Sequence, residues 1–191
     1  AYQQALKSRP NVEDKVLKHC DALLGEYPQA VRVRWFYCEV LVAYNRLRDA
    51  IDQLKIIQEA NPAQGRNVIS ALDKILTKDP RNVPALLQRG EILIAMNQLA
   101  DARSALERCF TLQPNHPESQ SALIGCYEKC LEANDDAEVR FRLGKLYFLR
   151  QDYDRAIGCF QRTAHDYRWE AESAKMLGKC FVGKGMLDLA L

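Results

Sequence analysis

Apolar positions along the chain fall three and four residues apart, the spacing that places them on one face of an α-helix. Three stretches share the same offsets: Val16, Leu17, Cys20, Leu23 and Leu24; Val68, Ile69, Leu72, Ile75 and Leu76; Leu123, Ile124, Tyr127, Cys130 and Leu131. Pro10 and Pro28 bracket the first, and Pro62 and Pro80 bracket the second at the same separation. The pattern predicts one short amphipathic helix in each stretch, over residues 12–27, 66–79 and 118–133.

Between these stretches a longer pattern repeats. Gly144 and Gly178 mark two copies of it, and their surroundings align without a gap. The first copy runs through Phe141, Leu143, Gly144 and Tyr147 to Tyr153, Ala156 and Phe160. The second runs through Met176, Leu177, Gly178 and Phe181 to Met186, Leu187, Leu189 and Ala190. An earlier copy centres on Gly90, with Leu86, Leu93, Ala102, Leu106 and Pro114; another starts at Val31, with Cys38, Leu41, Ala50, Leu54, Ile57 and Pro62. Each copy predicts two antiparallel helices, with a polar turn at Asn45-Arg46, Asn97-Gln98 or Gln151-Asp152 in the first three. Small residues must stand where the two helices cross closely. Cys38, Gly90, Gly144 and Gly178 take that place on the first helix, and Ala50, Ala102, Ala156 and Ala190 on the second. Pro62 and Pro114 end the second helix, because proline disfavours the α conformation in the residue before it. The predicted pairs cover 31–64, 83–116, 137–170 and, cut short, 171–191. Residues 1–10, with Ala5, Leu6 and Pro10, read as the tail of a preceding second helix.

These residues, an aromatic or Leu, then Leu-Gly, Tyr, Ala, Phe and Pro at fixed spacings, resemble the tetratricopeptide repeat. The resemblance implies an all-α fold, a right-handed α–α superhelix (a tetratricopeptide-like solenoid), here interrupted by single helices. The pairs and single helices alternate until the end, where the Gly144 pair is followed directly by the Gly178 pair. An unpaired helix reverses chain direction relative to pairwise stacking and predicts a kink. Each short interval reads equally as a degenerate repeat whose first helix has shrunk to a loop.

In that family the first helices line a concave groove, and the resemblance implies that the second, fifth, ninth and twelfth residues of each unit face it. These are Arg32, Trp35, Glu39 and Val42; Pro84, Leu87, Glu91 and Ile94; Glu138, Phe141, Lys145 and Phe148; Glu172, Lys175, Lys179 and Val182. The front half is apolar and acidic, with Trp35, Leu87, Glu39 and Glu91. The back half carries Lys145, Lys175 and Lys179, with Arg142 nearby and Phe141 and Phe148 between them. A partner with an apolar anchor and an acidic segment or C-terminal carboxylate suits the back half, since charge fixes orientation while aromatic burial supplies energy. The competing readings are plain: the lysines as solvated helix surface, and Trp35 as core beneath the neighbouring short helix. The family's chaperone-tail clamp is not matched at Trp35, Glu39, Leu87 or Glu91. Arg89 occupies a place that usually holds a buried Leu and needs water or a carboxylate, with Glu91 or Glu107 the candidates. Tyr167-Arg168-Trp169 replaces the usual proline turn and predicts exposed aromatics near a loop.

Composition narrows the functional classes. Of 191 residues 48% are apolar and 27% charged, as in ordinary soluble or repeat proteins. A net charge of +2 without basic tracts gives no general pull toward nucleic acid or anionic membrane. Glu39, Glu91, Glu138 and Glu172 on the expected concave face disfavour RNA further. The longest apolar runs, such as Ile92-Leu93-Ile94-Ala95-Met96, are too short to cross a bilayer. Seven cysteines, an odd number without a Cys-x-x-Cys pair, argue against a disulfide framework and a zinc site. They predict buried thiols in a reducing, cytoplasmic compartment.

His19, His116 and His165 fall in different repeats without catalytic neighbours, and no phosphate loop is present. The expectation is therefore a non-catalytic chain with neither cofactor nor metal, an interaction scaffold for another protein or peptide. The alternative is a regulatory or substrate-presenting segment of a larger enzyme. Ala1 to Ser8 reads as a helix end, and the chain opens and closes in mid-pattern, which predicts a fragment of a longer protein. Half-built repeats at both ends would expose apolar surface and favour self-association.

Overall fold

A computed structural model describes residues 10–186, among which are ten α-helices, one three-residue 3-10 turn and no strand. The chain divides into two compact units, Ala1–Ile92 and Leu93–Leu191. The first contains α1 (Pro10–Glu26), α2 (Val31–Ala43), α3 (Leu47–Ala60), the 3-10 turn Pro62–Gln64, α4 (Gly65–Lys78) and most of α5 (Val83–Ala95). The second contains α6 (Leu99–Leu112), α7 (Pro117–Ala133), α8 (Ala137–Leu149), α9 (Tyr153–Thr163) and α10 (Glu170–Gly183). The sequence expectations at Ala5, Leu6, Leu187, Leu189 and Ala190 lie outside the described residues.

The helices end in two ways, and local sequence explains both. After α2, α5 and α8 a single residue turns left-handed: Asn45 (φ 62°), Asn97 (φ 58°) and Gln151 (φ 62°). The next amide then reaches back to the last turn, Arg46 to Leu41 at 2.9 Å, Gln98 to Leu93 at 2.9 Å and Asp152 to Tyr147 at 2.9 Å. This is the helix-terminating geometry that asparagine and glycine favour. Gly185 (φ 75°) ends α10 in the same manner, with the Met186 amide donating to Phe181 at 2.8 Å. In contrast α3, α4 and α6 end at an extended residue directly before a proline: Asn61 (φ −148°), Asp79 (φ −132°) and Gln113 (φ −139°). Helix α7 ends likewise at Asn134 (φ −155°), without a proline.

Two of the three helices whose sequence intervals stand single, α4 and α7, thus end as second helices do. Val68, Leu72, Ile75 and Pro80 of the α4 segment precede Ala102, Leu106, Cys109 and Pro114 by the same separation that relates Gly144 to Gly178. The apolar side chains of both sets on α4 and α6 are fully buried. Only the 3-10 turn separates α3 from α4, where a first helix would otherwise stand.

In the first unit α2 packs on α3, with α1 against α2 and α4 against α3. The Cys38 thiol lies 3.8 Å from the Ala50 carbonyl, so two small residues meet at that crossing. In the second unit α8 packs on α9, with α7 against α8 and α10 against α9. A Cβ on Gly144 would stand 2.8 Å from Phe160 Cε1 and 2.9 Å from Cys159 Cβ, so only hydrogen fits there. Phe160 and Ala156 are completely buried, and burying a phenylalanine is worth about 1.5–3 kcal/mol.

Candidate functional site

In the first unit, α2 and α4 face each other across a hollow of about 220 Å³. Trp35, Glu39 and Val42, successive along one face of α2, form one wall, and Asn67, Ser70 and Lys74 of α4 form the other. Trp35 is half-buried, with α4 across the hollow that its ring lines. Arg32 is exposed and makes no ion pair among the described residues. On α5, Leu87 is half-buried. Glu91 is exposed, yet partial desolvation of its carboxyl pushes it above the usual carboxylate range, an effect that Lys55 partly offsets. Arg89 pairs with neither of its expected partners; its guanidinium donates to Asp73 of α4 at 2.8 Å. Repeat spacing holds no hint of that pair, because Asp73 lies 16 residues away on another helix.

The second unit sorts the expected groove residues of α8 into different roles. Phe141 is not a groove residue. It is buried, stacked on Trp169 at 4.6 Å and edge-on to Phe160 at 5.4 Å. Phe148 is half-buried against Tyr153 at 5.7 Å. Arg142 is exposed but committed: it donates to Glu138 at 2.6 and 3.0 Å and reaches Glu107 at 3.4 Å. Lys145 is exposed, stands 6.0 Å from the centre of the Phe141 ring, and makes no ion pair among the described residues. Lys175 and Lys179 are exposed on α10, also without an ion pair there. Tyr167 is 87% exposed, as expected for the loop, whereas Trp169 is half-buried by its stack on Phe141.

Arg142, Lys145 and Leu149 share a hollow of about 240 Å³ with Glu107 and Phe110 of α6 and Tyr127 of α7. Glu107 accepts from the Tyr127 hydroxyl at 2.8 Å and from Arg142, so its charge is answered within the wall. Lys145 stands at this rim without an ion pair among the described residues. The exposed Leu149 and the Phe110 ring supply apolar surface. Lys175 and Lys179 do not line it.

One arrangement escaped sequence reasoning altogether. Three tyrosines each tie a helix to the one before it through a carboxylate: Tyr37 to Asp21 at 2.7 Å, Tyr127 to Glu107 at 2.8 Å and Tyr147 to Glu128 at 2.5 Å. Burial, and then the carboxylate bond, pushes Tyr37 and Tyr147 up to about 12 and raises Tyr127 as well. The pairs have no shared register, so no repeat-based signal marks them. His116 serves as a helix-start residue: its Nδ1 accepts from the Ser119 amide at 3.3 Å and lies 2.7 Å from the Ser119 hydroxyl.

Two family models, each described as tetratricopeptide repeat, match residues 64–124 and 138–168. Over these residues the chain carries tetratricopeptide repeats. The first match takes in α4, α5, α6 and the start of α7, and the second takes in α8 and α9, so both walls of the Lys145 hollow include tetratricopeptide helices. Among solved structures the chain is similar to MamA, at 22% identity over 70% of this chain and 80% of that one, with a TM-score of 0.37. It is similar to YrrB, described as a TPR protein with an unusual peptide-binding site, at 14% identity over 90% and 87%, TM-score 0.35. It is also similar to pilF of Pseudomonas aeruginosa, at 18% identity over 94% and 87%, TM-score 0.43. No curated protein matches the chain. Among the described residues no helix of this tetratricopeptide chain is long and apolar enough to cross a membrane.

Proposed function

We propose that this chain is a protein-interaction scaffold whose second unit takes a partner peptide in the hollow between α6, α7 and α8. One observation carries the reading: Lys145, a cation without an ion pair among the described residues, stands at the rim of an otherwise charge-answered hollow with apolar surface. The fitting ligand places an aliphatic or aromatic side chain against Phe110 and Leu149 and an acidic group on Lys145. The Trp35 and Glu39 hollow of the first unit is a second contact for such a partner. Lys175 and Lys179 add attraction for an acidic segment without lining the hollow. Seven cysteines without a disulfide, five of them buried, fit work in a reducing compartment.

The alternative, a regulatory or substrate-presenting segment of a larger enzyme, uses the same hollow and differs only in what lies beyond the chain. The test is quantitative capture from cytosolic extract by the whole chain, by Lys145→Glu and by Lys175→Glu/Lys179→Glu. A partner whose recovery falls at least tenfold with Lys145→Glu and only a few-fold with the α10 pair supports the α8 hollow. Recovery unchanged by Lys145→Glu overturns it.

A further inference from the structure

Helix α8 has a second hollow on its other flank. Arg140, Leu143 and Tyr147 line a cavity of about 410 Å³ that α7 and α9 complete. Its two outer walls carry opposite charge: Glu128 and Glu132 stand on α7, Arg155 and Arg162 on α9. Leu131 provides apolar surface between them, with Leu143 buried beneath it.

Following each charge to its partner shows what the cavity lacks. Glu128 accepts from the Tyr147 hydroxyl. Arg140 is mostly buried and paired with Asp135. Arg155 lies 5.5 Å from the centre of the Tyr147 ring and touches Asp152 only loosely, at 3.4 Å across an exposed contact. Arg162 and Glu132 make no ion pair among the described residues. One guanidinium and one carboxylate, on facing walls, therefore remain open. A guanidinium fork matches a carboxylate through two parallel hydrogen bonds. A doubly charged phosphate is a poorer occupant, because two glutamates border the same space and like charge disfavours it.

We propose that this cavity is a second docking site, for a segment of a partner chain that carries an acidic and a basic side chain on one face. The acidic group lies between Arg162 and Arg155, the basic group on Glu132, and the aliphatic stems on Leu131. The site is separate from the Lys145 hollow and does not depend on it.

The test is an NMR titration of the whole isotope-labelled chain with three probes. They are acetyl-Glu-Ala-Ala-Ala-Lys-amide, whose two charges share one face when the segment docks as a helical turn, the same peptide with a second glutamate in place of the lysine, and inorganic phosphate. The mixed-charge peptide is expected to move the amide signals of Gly158, Cys159 and Arg162 saturably. Arg162→Gln and Glu132→Gln, both on exposed side chains, should each weaken it about tenfold, the scale of a charge-assisted hydrogen bond. Lys145→Glu should leave the titration unchanged, which separates this site from the hollow proposed above. The proposal fails if those three signals do not move, if neither variant weakens binding, or if the all-acidic peptide or phosphate binds as tightly as the mixed one. It fails equally if the shifts fall on Thr111 and Leu149.

Discussion

Replacing Gly144 and Gly158 by alanine, one at a time, isolates the packing of the α8–α9 crossing from helix propensity. Both glycines sit inside helices, and alanine is the better helix former by about 0.8–1.0 kcal/mol at either site. Nothing lies within 4 Å of a Cβ on Gly158, so Gly158→Ala should stabilise the second unit by about 0.5–1 kcal/mol. At Gly144 the new methyl would meet Phe160 Cε1 at 2.8 Å and Cys159 Cβ at 2.9 Å. Comfortable carbon contacts are roughly 3.5–4.0 Å, so something must move. Phe160 has nowhere to go: it is fully buried and edge-on to Phe141, which is itself stacked on Trp169. Overpacking of this kind costs about 1–3 kcal/mol. Set against the propensity gain, Gly144→Ala should be neutral to about 2 kcal/mol destabilising. The difference between the two variants should be about 1–3 kcal/mol. Urea denaturation followed by Trp169 fluorescence, in a Trp35→Phe background, places the probe in the second unit. Equal stability of the two variants, or a gain in both, would show that the crossing has room and refute the reasoning.

His116→Ala removes the acceptor at the start of α7 and should cost about 1 kcal/mol by urea denaturation, with His116→Asn recovering most of it. Tyr127→Phe should cost about 1–2 kcal/mol by the same measurement, since the bond to a carboxylate is lost while Arg142 still answers Glu107. Alkaline stability should fall between about pH 9 and 12. Cys38 is raised from 9.0 to about 12, and Tyr37 and Tyr147 from 10.0 to about 12, so above pH 9 the unfolded chain sheds these protons first and gains. Below pH 9 these groups contribute no slope. Tyr37→Phe/Tyr147→Phe should flatten the part above pH 10 in a pH series of urea midpoints, and an unaltered slope would contradict the assignment.

What sequence alone determined here is what acts within a few residues or through a fixed repeat. Proline at 62, 80 and 114 forces the preceding residue out of the α conformation, and Asn45 and Asn97 supply the left-handed turns, so helix ends are written locally. Gly144 and Ala156 stand where two backbones approach, and nothing larger than hydrogen fits at Gly144, so the pairing of α8 with α9 is legible from residue size. The placement of the candidate residues was legible only in part. Lys145 and Arg142 fall on one hollow and Trp35 and Glu39 on another, as their helical positions suggest.

The tertiary structure decided the rest. Phe141 is core because Trp169, from the loop beyond α9, folds over it. That loop is set by Asp166, whose carboxylate accepts from the Arg168 amide at 2.9 Å and whose carbonyl accepts from the Trp169 amide at 2.8 Å. Arg142 bonds locally to Glu138 but also reaches Glu107, 35 residues away, and Arg89 pairs with Asp73, 16 residues away. Long charged side chains reach across helices to whichever partner the packing brings near, and sequence spacing does not encode that distance. The two hollows of the second unit are likewise each walled by three helices, so their shape and their unanswered charge exist only once those helices have packed.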